Sequence, residues 1–174
     1  MSLTPPTTER IRIAPMRAAD ADAIARLAEV IWRAHYPALI GHAQIDYMLA
    51  QRYNRDVMLD ELRRDDLWWD VLTLDGEPAG FASYFLTSEA GEMKLDKLYV
   101  HPQHQRRGLG GMLIEHCCRA AHARGCTRLI LAVNKRNASA IAAYRKNGFD
   151  VMSAVVKDIG GGFVMDDYIM ARAL

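Results

Sequence analysis

The segment Gln105-Arg106-Arg107-Gly108-Leu109-Gly110-Gly111 is the stretch of the chain best suited to binding chemistry. Closely spaced glycines let backbone N–H groups converge. A helix starting there adds the positive end of its dipole, so the loop is built to hold a phosphate or pyrophosphate. Arg106 and Arg107 supply counter-charge; the plainer alternative is a flexible loop with a basic surface. Two common phosphate motifs are excluded. A dinucleotide fingerprint beginning at Gly108 needs glycine where Leu113 stands, and no Gly-Lys-Ser or Gly-Lys-Thr occurs for a P-loop. His101 and His104 could suggest a metal, yet no third ligand has suitable spacing, and no metal is expected. Cys117, Cys118 and Cys126 are odd in number and two are adjacent in an apolar helical pattern, which suits reduced core thiols. Asp56, Asp60, Glu61, Asp65, Asp66 and Asp70 make an acidic stripe that could attract a cationic amine. Arg52, Arg55, Arg63 and Arg64 interleave with it, so a solvated helix face is the default.

The elements that must position the loop follow from periodicity. Residues 93–100 read as a strand stopped by His101-Pro102, and residues 110–124 as a helix with Leu113, Cys117, Ala120 and Ala121 on one face and Gly125 as its cap. Residues 129–133 return as a strand, giving a βαβ crossover with parallel strands. Before it come a short strand at 10–15, a helix over 20–33, and a helical region over 44–66. A hairpin of 68–74 and 79–86 then turns at Asp75-Gly76. After it come a short helix over 138–147 and a second hairpin of 149–157 and 163–172 around Gly160-Gly161-Gly162. The class is α+β: a mixed, mostly antiparallel central sheet with one βαβ crossover and flanking helices.

The 174 residues, 51% hydrophobic and 25% charged, describe one domain over 10–174 behind a polar, flexible start at 1–9. A net charge of +1 is too balanced for a dedicated nucleic-acid binder. No secretory signal and no apolar run of about 18 residues is evident, so a cytoplasmic protein without a membrane partner is expected.

Leu98-Tyr99-Val100-His101-Pro102, Gln105 to Gly110, Asn134-Lys135-Arg136-Asn137-Ala138 and Tyr144-Arg145-Lys146-Asn147-Gly148-Phe149 resemble, in order, the successive motifs of the GCN5-related N-acetyltransferase family. More loosely, Ile31-Trp32 through Met48-Leu49 and Asp167-Tyr168-Ile169-Met170 resemble its PaiA-like branch of diamine and polyamine acetyltransferases. The resemblance implies acetyl-CoA as co-substrate and direct transfer to a small-molecule primary amine. The alternatives are a protein or peptide acetyltransferase, or a non-catalytic acyl-CoA sensor. It implies that two parallel strands splay, leaving backbone groups of Leu98, Tyr99 and Val100 for the pantetheine arm, while the loop matching Gln105, Arg106, Arg107, Gly108, Leu109, Gly110 and Gly111 holds the pyrophosphate. Asn137 matches a cofactor-contacting asparagine and is equally placed to cap the next helix. Tyr144 takes the position of the general acid, though tyrosine on a short amphipathic helix is commonly a core aromatic. Where many members carry a glutamate base this chain has Lys94. Strand alternation then offers Asp96, or Glu92, on a face shared with Leu98 and Val100. Substrate specificity falls to the lobe around Trp32, His35 and Tyr36, and the exposed C-terminal hairpin offers an edge for a homodimer.

Overall fold

The computed structural model describes residues 9–174, so all but the last residue of the flexible start expected at 1–9 lies outside the described residues. Ile11 and Ile13 belong to strand β1 (Ile11–Pro15). Ile24, Leu27, Ala28 and Ile31, at three-and-four spacing, form the buried stripe of helix α1 (Ala21–His35). The single helical region expected over 44–66 is two helices, α2 (His42–Arg52) and α3 (Arg55–Glu61). The reason is Asn54, whose side chain accepts a hydrogen bond from the Val57 N–H and caps a new helix in mid-segment.

Strands β2 (Leu67–Leu74) and β3 (Glu77–Leu86) meet at Asp75-Gly76, both at positive φ as a tight hairpin turn requires. There follow β4 (Glu92–Val100), α4 (Leu109–Ala123), β5 (Arg128–Asn134), α5 (Ala138–Lys146), β6 (Asp150–Gly160) and β7 (Phe163–Ala173). The strands form one seven-stranded sheet in the order β1-β2-β3-β4-β5-β7-β6. Only β4 and β5 run parallel; every other pair is antiparallel, as the α+β reading expects.

Each face of the sheet carries its own core. Helix α4 closes one face over Leu113, Cys117, Leu129 and Phe149. The lobe of α1, α2 and α3 closes the other over Ile24, Ile31, Trp32, Met58, Trp69 and Phe81. All three cysteines are buried free thiols.

Two irregularities in β4 shape the centre of the molecule. Pairing with β5 runs from Glu92–Arg128 to Leu95–Leu131 and stops there, although both strands continue. On the other edge Tyr84 pairs with Leu95 and Ser83 with Lys97, so Asp96 is an extra residue, a β-bulge. The bulge overturns the expected common face. Asp96 and Lys97 both reach the helical lobe, bonding Arg52 and Glu61, whereas Leu98 and Val100 belong to the core under α4. Glu92 is drawn off separately: it is buried at the far end of the strand, where it pairs with Arg128 and accepts from Thr87 at 3.0 Å.

Candidate active site

Where β4 and β5 part, a cavity of about 710 Å³ opens between the sheet, α4, α5 and the helical lobe. Its size suits a small molecule. One end is built for an anion. Gly108 adopts a left-handed φ of 79° and caps α4 with no side-chain bond, and the first N–H that closes a helical turn is that of Met112, onto the Gly108 carbonyl. The amides of Leu109, Gly110 and Gly111 are therefore left without helical partners at the positive end of the dipole. A Cβ placed on Gly108 or Gly110 would meet nothing within 4 Å, so the backbone there is open to close approach. Arg106, at a φ of 61°, lines the cavity. Its neighbour does not. Arg107 turns to Glu9 and His104, so the counter-charge expected of it is absent from the cavity.

The register of β4 refines what the splay exposes. His101 N–H donates to the Ala79 carbonyl at 2.8 Å, and antiparallel bonding alternates, so Tyr99 also spends its backbone groups on β3. Leu98 and Val100 are left facing the gap. Tyr99 contributes its side chain instead, and Gln105 steadies the strand end by donating to the Val100 carbonyl at 3.1 Å. Asn137 caps α5, accepting from the Ala140 N–H at 3.3 Å, and the same oxygen meets His35 Nε2 at 3.2 Å. What it has left for the cavity is donation from Nδ2.

The other end is aromatic. Trp32 and Tyr36 pack with ring centroids 4.2 Å apart, and the Tyr36 and Tyr99 hydroxyls share a hydrogen bond of 3.1 Å. Trp32, His35 and Tyr36, the residues expected to set specificity, all line this end. Tyr144 projects from α5 between the two ends, edge-on to Phe149. Burial, with a smaller contribution from Cys117, pushes its phenol up to about 12.

Asp96 lines the cavity too, but Arg52 at 2.6 Å and Lys97 at 2.7 Å hold it. Burial opposes its ionisation, yet the two cations outweigh it and keep the carboxyl at about 2. So acidic a group is a poor proton acceptor. The acidic stripe is only partly offset: Asp60 pairs with Arg63, Asp66 with Arg64 and Glu61 with Lys97, while among the described residues no ion pair holds Asp56 or Asp65.

The model of the acetyltransferase (GNAT) family matches residues 24–149. The chain belongs to this family. The GNAT frame extends beyond that stretch: the crystal structure of the PaiA N-acetyltransferase of Thermoplasma acidophilum, in complex with coenzyme A, superposes with a TM-score of 0.82 at 22% identity, covering 95% of this chain and 99% of that one. The spermidine N(1)-acetyltransferase of the same organism is 24% identical over 90% of this chain and 96% of its own length. Shorter matches are closer. The streptothricin acetyltransferase of Streptomyces lavendulae is 37% identical over 43% of this chain but only 40% of its own. The ribosomal protein bS18-alanine N-acetyltransferase of Salmonella typhimurium is 42% identical over 45% of this chain and 52% of its own.

Within this GNAT cavity stand four charged residues to which the sequence reading gave no role in the site: Arg52, Lys94, Lys157 and Asp167. Lys94 lines it, 5.9 Å from the Phe85 ring centroid. Asp167 of β7 lines it as well, although only 9% exposed. Alternation along β7 puts Asp167 on one face with Phe163, Met165 and Ile169, and nothing local tells that an acidic side chain is buried there.

Proposed function

We propose that the protein is an acetyl-CoA-dependent N-acetyltransferase acting on the primary amine of a small molecule of the diamine or polyamine kind. The observation that carries this reading is the parting of β4 and β5 inside one cavity, with free helix amides at one end, aromatic rings at the other and Tyr144 between. Acetyl-CoA, when bound, supplies an activated acetyl thioester. Leu98 and Val100 offer backbone groups to its pantetheine arm, and the amides of Leu109, Gly110 and Gly111, with Arg106, hold its pyrophosphate. Tyr144 gives its proton to the departing thiolate. The dry wall that raises the phenol raises the proton affinity of a thiolate beside it as well, which keeps the transfer feasible. Cys117 is not a nucleophile in this scheme, since burial pushes its thiol up and keeps it protonated. Asp96 holds Arg52 and takes no proton.

A small acceptor is favoured over a protein terminus by the roof of the cavity. Tyr47 of α2 donates to the Ile159 carbonyl at 2.9 Å, and Gln44 donates to the Val164 carbonyl at 3.1 Å. These bonds tie the helical lobe to the β6–β7 hairpin across the acceptor end, where a peptide would need an open groove. A relative matched over nearly its whole length is a spermidine acetyltransferase, which supports the same reading. The test is release of free thiol from acetyl-CoA with a panel of spermidine, diamines, amino acids and peptides. Release with the small amines is expected; release with peptides alone would favour the protein reading, and none with any acceptor would favour a sensor. We further propose that a second copy pairs along the outer edge of β6, where Val156 is 65% exposed. Sedimentation should show a dimer that Val156→Lys disperses. The buried free cysteines suit a reducing, cytoplasmic setting.

A further inference from the structure

Among the described residues Asp167 stands apart from the other buried acids. Glu92 pairs with Arg128, and Asp70 accepts from Tyr84 at 2.6 Å and His116 at 2.9 Å. Asp167 has neither an ion pair nor a hydrogen bond. Its Oδ1 is fully buried with no partner, although the residue lines the acceptor end of the cavity. A buried carboxylate oxygen without a donor is costly and calls for one from elsewhere. Asp167 sits opposite Asn134 across β5 and opposite Val155 across β6, close enough to Tyr36 for its charge to disfavour ionisation of that phenol, and Tyr144 acts on Tyr36 in the same way. The orphan carboxylate and the proposed proton donor line the same cavity.

We infer that Asp167 receives the ammonium group of the acceptor and removes its proton before attack. The inference deepens the proposed function and rests on it. The protons balance as follows. The acceptor R–NH3+ passes one proton to the Asp167 carboxylate and becomes R–NH2. The nitrogen lone pair forms a C–N bond to the acetyl carbonyl carbon while the C–S bond breaks, its electron pair leaving on sulfur. Tyr144 protonates that sulfur and is reprotonated by the second proton lost from nitrogen. Asp167 finally returns its proton to water. Burial raises the Asp167 carboxyl above its ordinary range, opposed by Lys94 and Arg52, with Asp166 adding to the rise and Lys135 countering it; Tyr36 feels its charge, and His35, Asp96, Tyr99, Tyr144 and Lys157 line the same cavity. A carboxyl so placed accepts a proton more readily than Asp96.

The test compares the parent protein with Asp167→Asn and Asp167→Ser, using spermidine and the weakly basic trifluoroethylamine. In the parent, kcat/KM for spermidine should level off once Asp167 is ionised. In the variants the free amine must be supplied by solution, so kcat/KM should be lower by about 10²–10⁴-fold at neutral pH and climb tenfold per pH unit toward the alkaline range. Trifluoroethylamine, already neutral, should lose little. Calorimetry of spermidine against the coenzyme A complex should show weakened binding, with coenzyme A affinity itself unchanged. Spermidine turnover by Asp167→Asn with the parent's plateau, or equal losses for both amines, would overturn the inference. Should the parent acetylate no amine at all, the failure lies in the proposed function instead.

Discussion

Tyr144 and Asp96 are both ionisable groups of the same cavity, and their surroundings push them in opposite directions. Burial raises the Tyr144 phenol to about 12, so it keeps its proton at any ordinary working pH. Replacing it with phenylalanine retains the ring against Phe149 and removes only the donor, so kcat should fall by about 10²–10⁴ with the melting temperature nearly unchanged. Because the phenol does not ionise below about pH 11, the loss should be uniform between pH 6 and 10. Near-parental turnover by a stable Tyr144→Phe protein would remove the assignment. Asp96 lies at the other extreme. Its folded value of about 2 is below the 3.8 of an ordinary aspartate, so its contribution is complete above about pH 4 and is lost as pH falls toward 2. The shift corresponds to about 2 kcal/mol. In urea unfolding, the stability gap between the parent and Asp96→Asn should therefore narrow between pH 4 and 2; a constant gap would mean that the ion pairs contribute no net stability.

At the scale of elements, two glycine segments bound the cavity and make opposite demands. A Cβ on Gly110 meets nothing, so Gly110→Val should fold normally and still lose acetyl-CoA affinity through its bulk at the pyrophosphate end. Gly161, at a φ of 62°, would put a Cβ 2.8 Å from Tyr47 Cε2, so Gly161→Ala should displace the roof and raise KM for the amine while sparing acetyl-CoA affinity. Calorimetry and amine kinetics on the two variants should show this crossed pattern; a Gly110→Val protein with parental acetyl-CoA affinity would misplace the anion site. The glycine loop announced itself by residue type and local spacing, whereas Tyr144 was singled out only by the family resemblance, since alone a tyrosine on a short amphipathic helix reads as a core aromatic. The bulge at Asp96 was not legible in the sequence. Alternation assumes one residue per pairing step, and the extra residue transferred Leu98 and Val100 to the other face. The break between α2 and α3 was masked likewise, because charged residues continue through Asn54 with no glycine or proline to announce the new cap.

For the whole molecule, the pairs joined by the two hairpins and the one crossover were readable, but the insertion of β7 between β5 and β6 was not, and the acceptor end depends on contacts far apart in sequence. Tyr47 meets Ile159, Arg52 meets Asp96, and His35 meets Asn137, and none of these pairs leaves a local signature. Electrostatics at this scale lead to a further expectation. With 22 basic against 21 acidic side chains, and with Asp60 and Asp66 of the acidic stripe held by Arg63 and Arg64 and Glu61 by Lys97, little field is left to draw a cation in from a distance. Recognition of an amine must then occur inside the cavity, where little salt penetrates. Raising the ionic strength from about 0.01 M to about 0.15 M shortens the screening length from about 30 Å to about 8 Å, which would slow a steered association and leave an unsteered one alone. Acetyl-CoA is itself an anion, so it must be held saturating for the comparison to report on the amine. Under that condition kcat/KM for spermidine should stay level across the range. A steep decline would instead reveal a steering field, and would return the acidic residues around α3 to the list of groups that select the substrate.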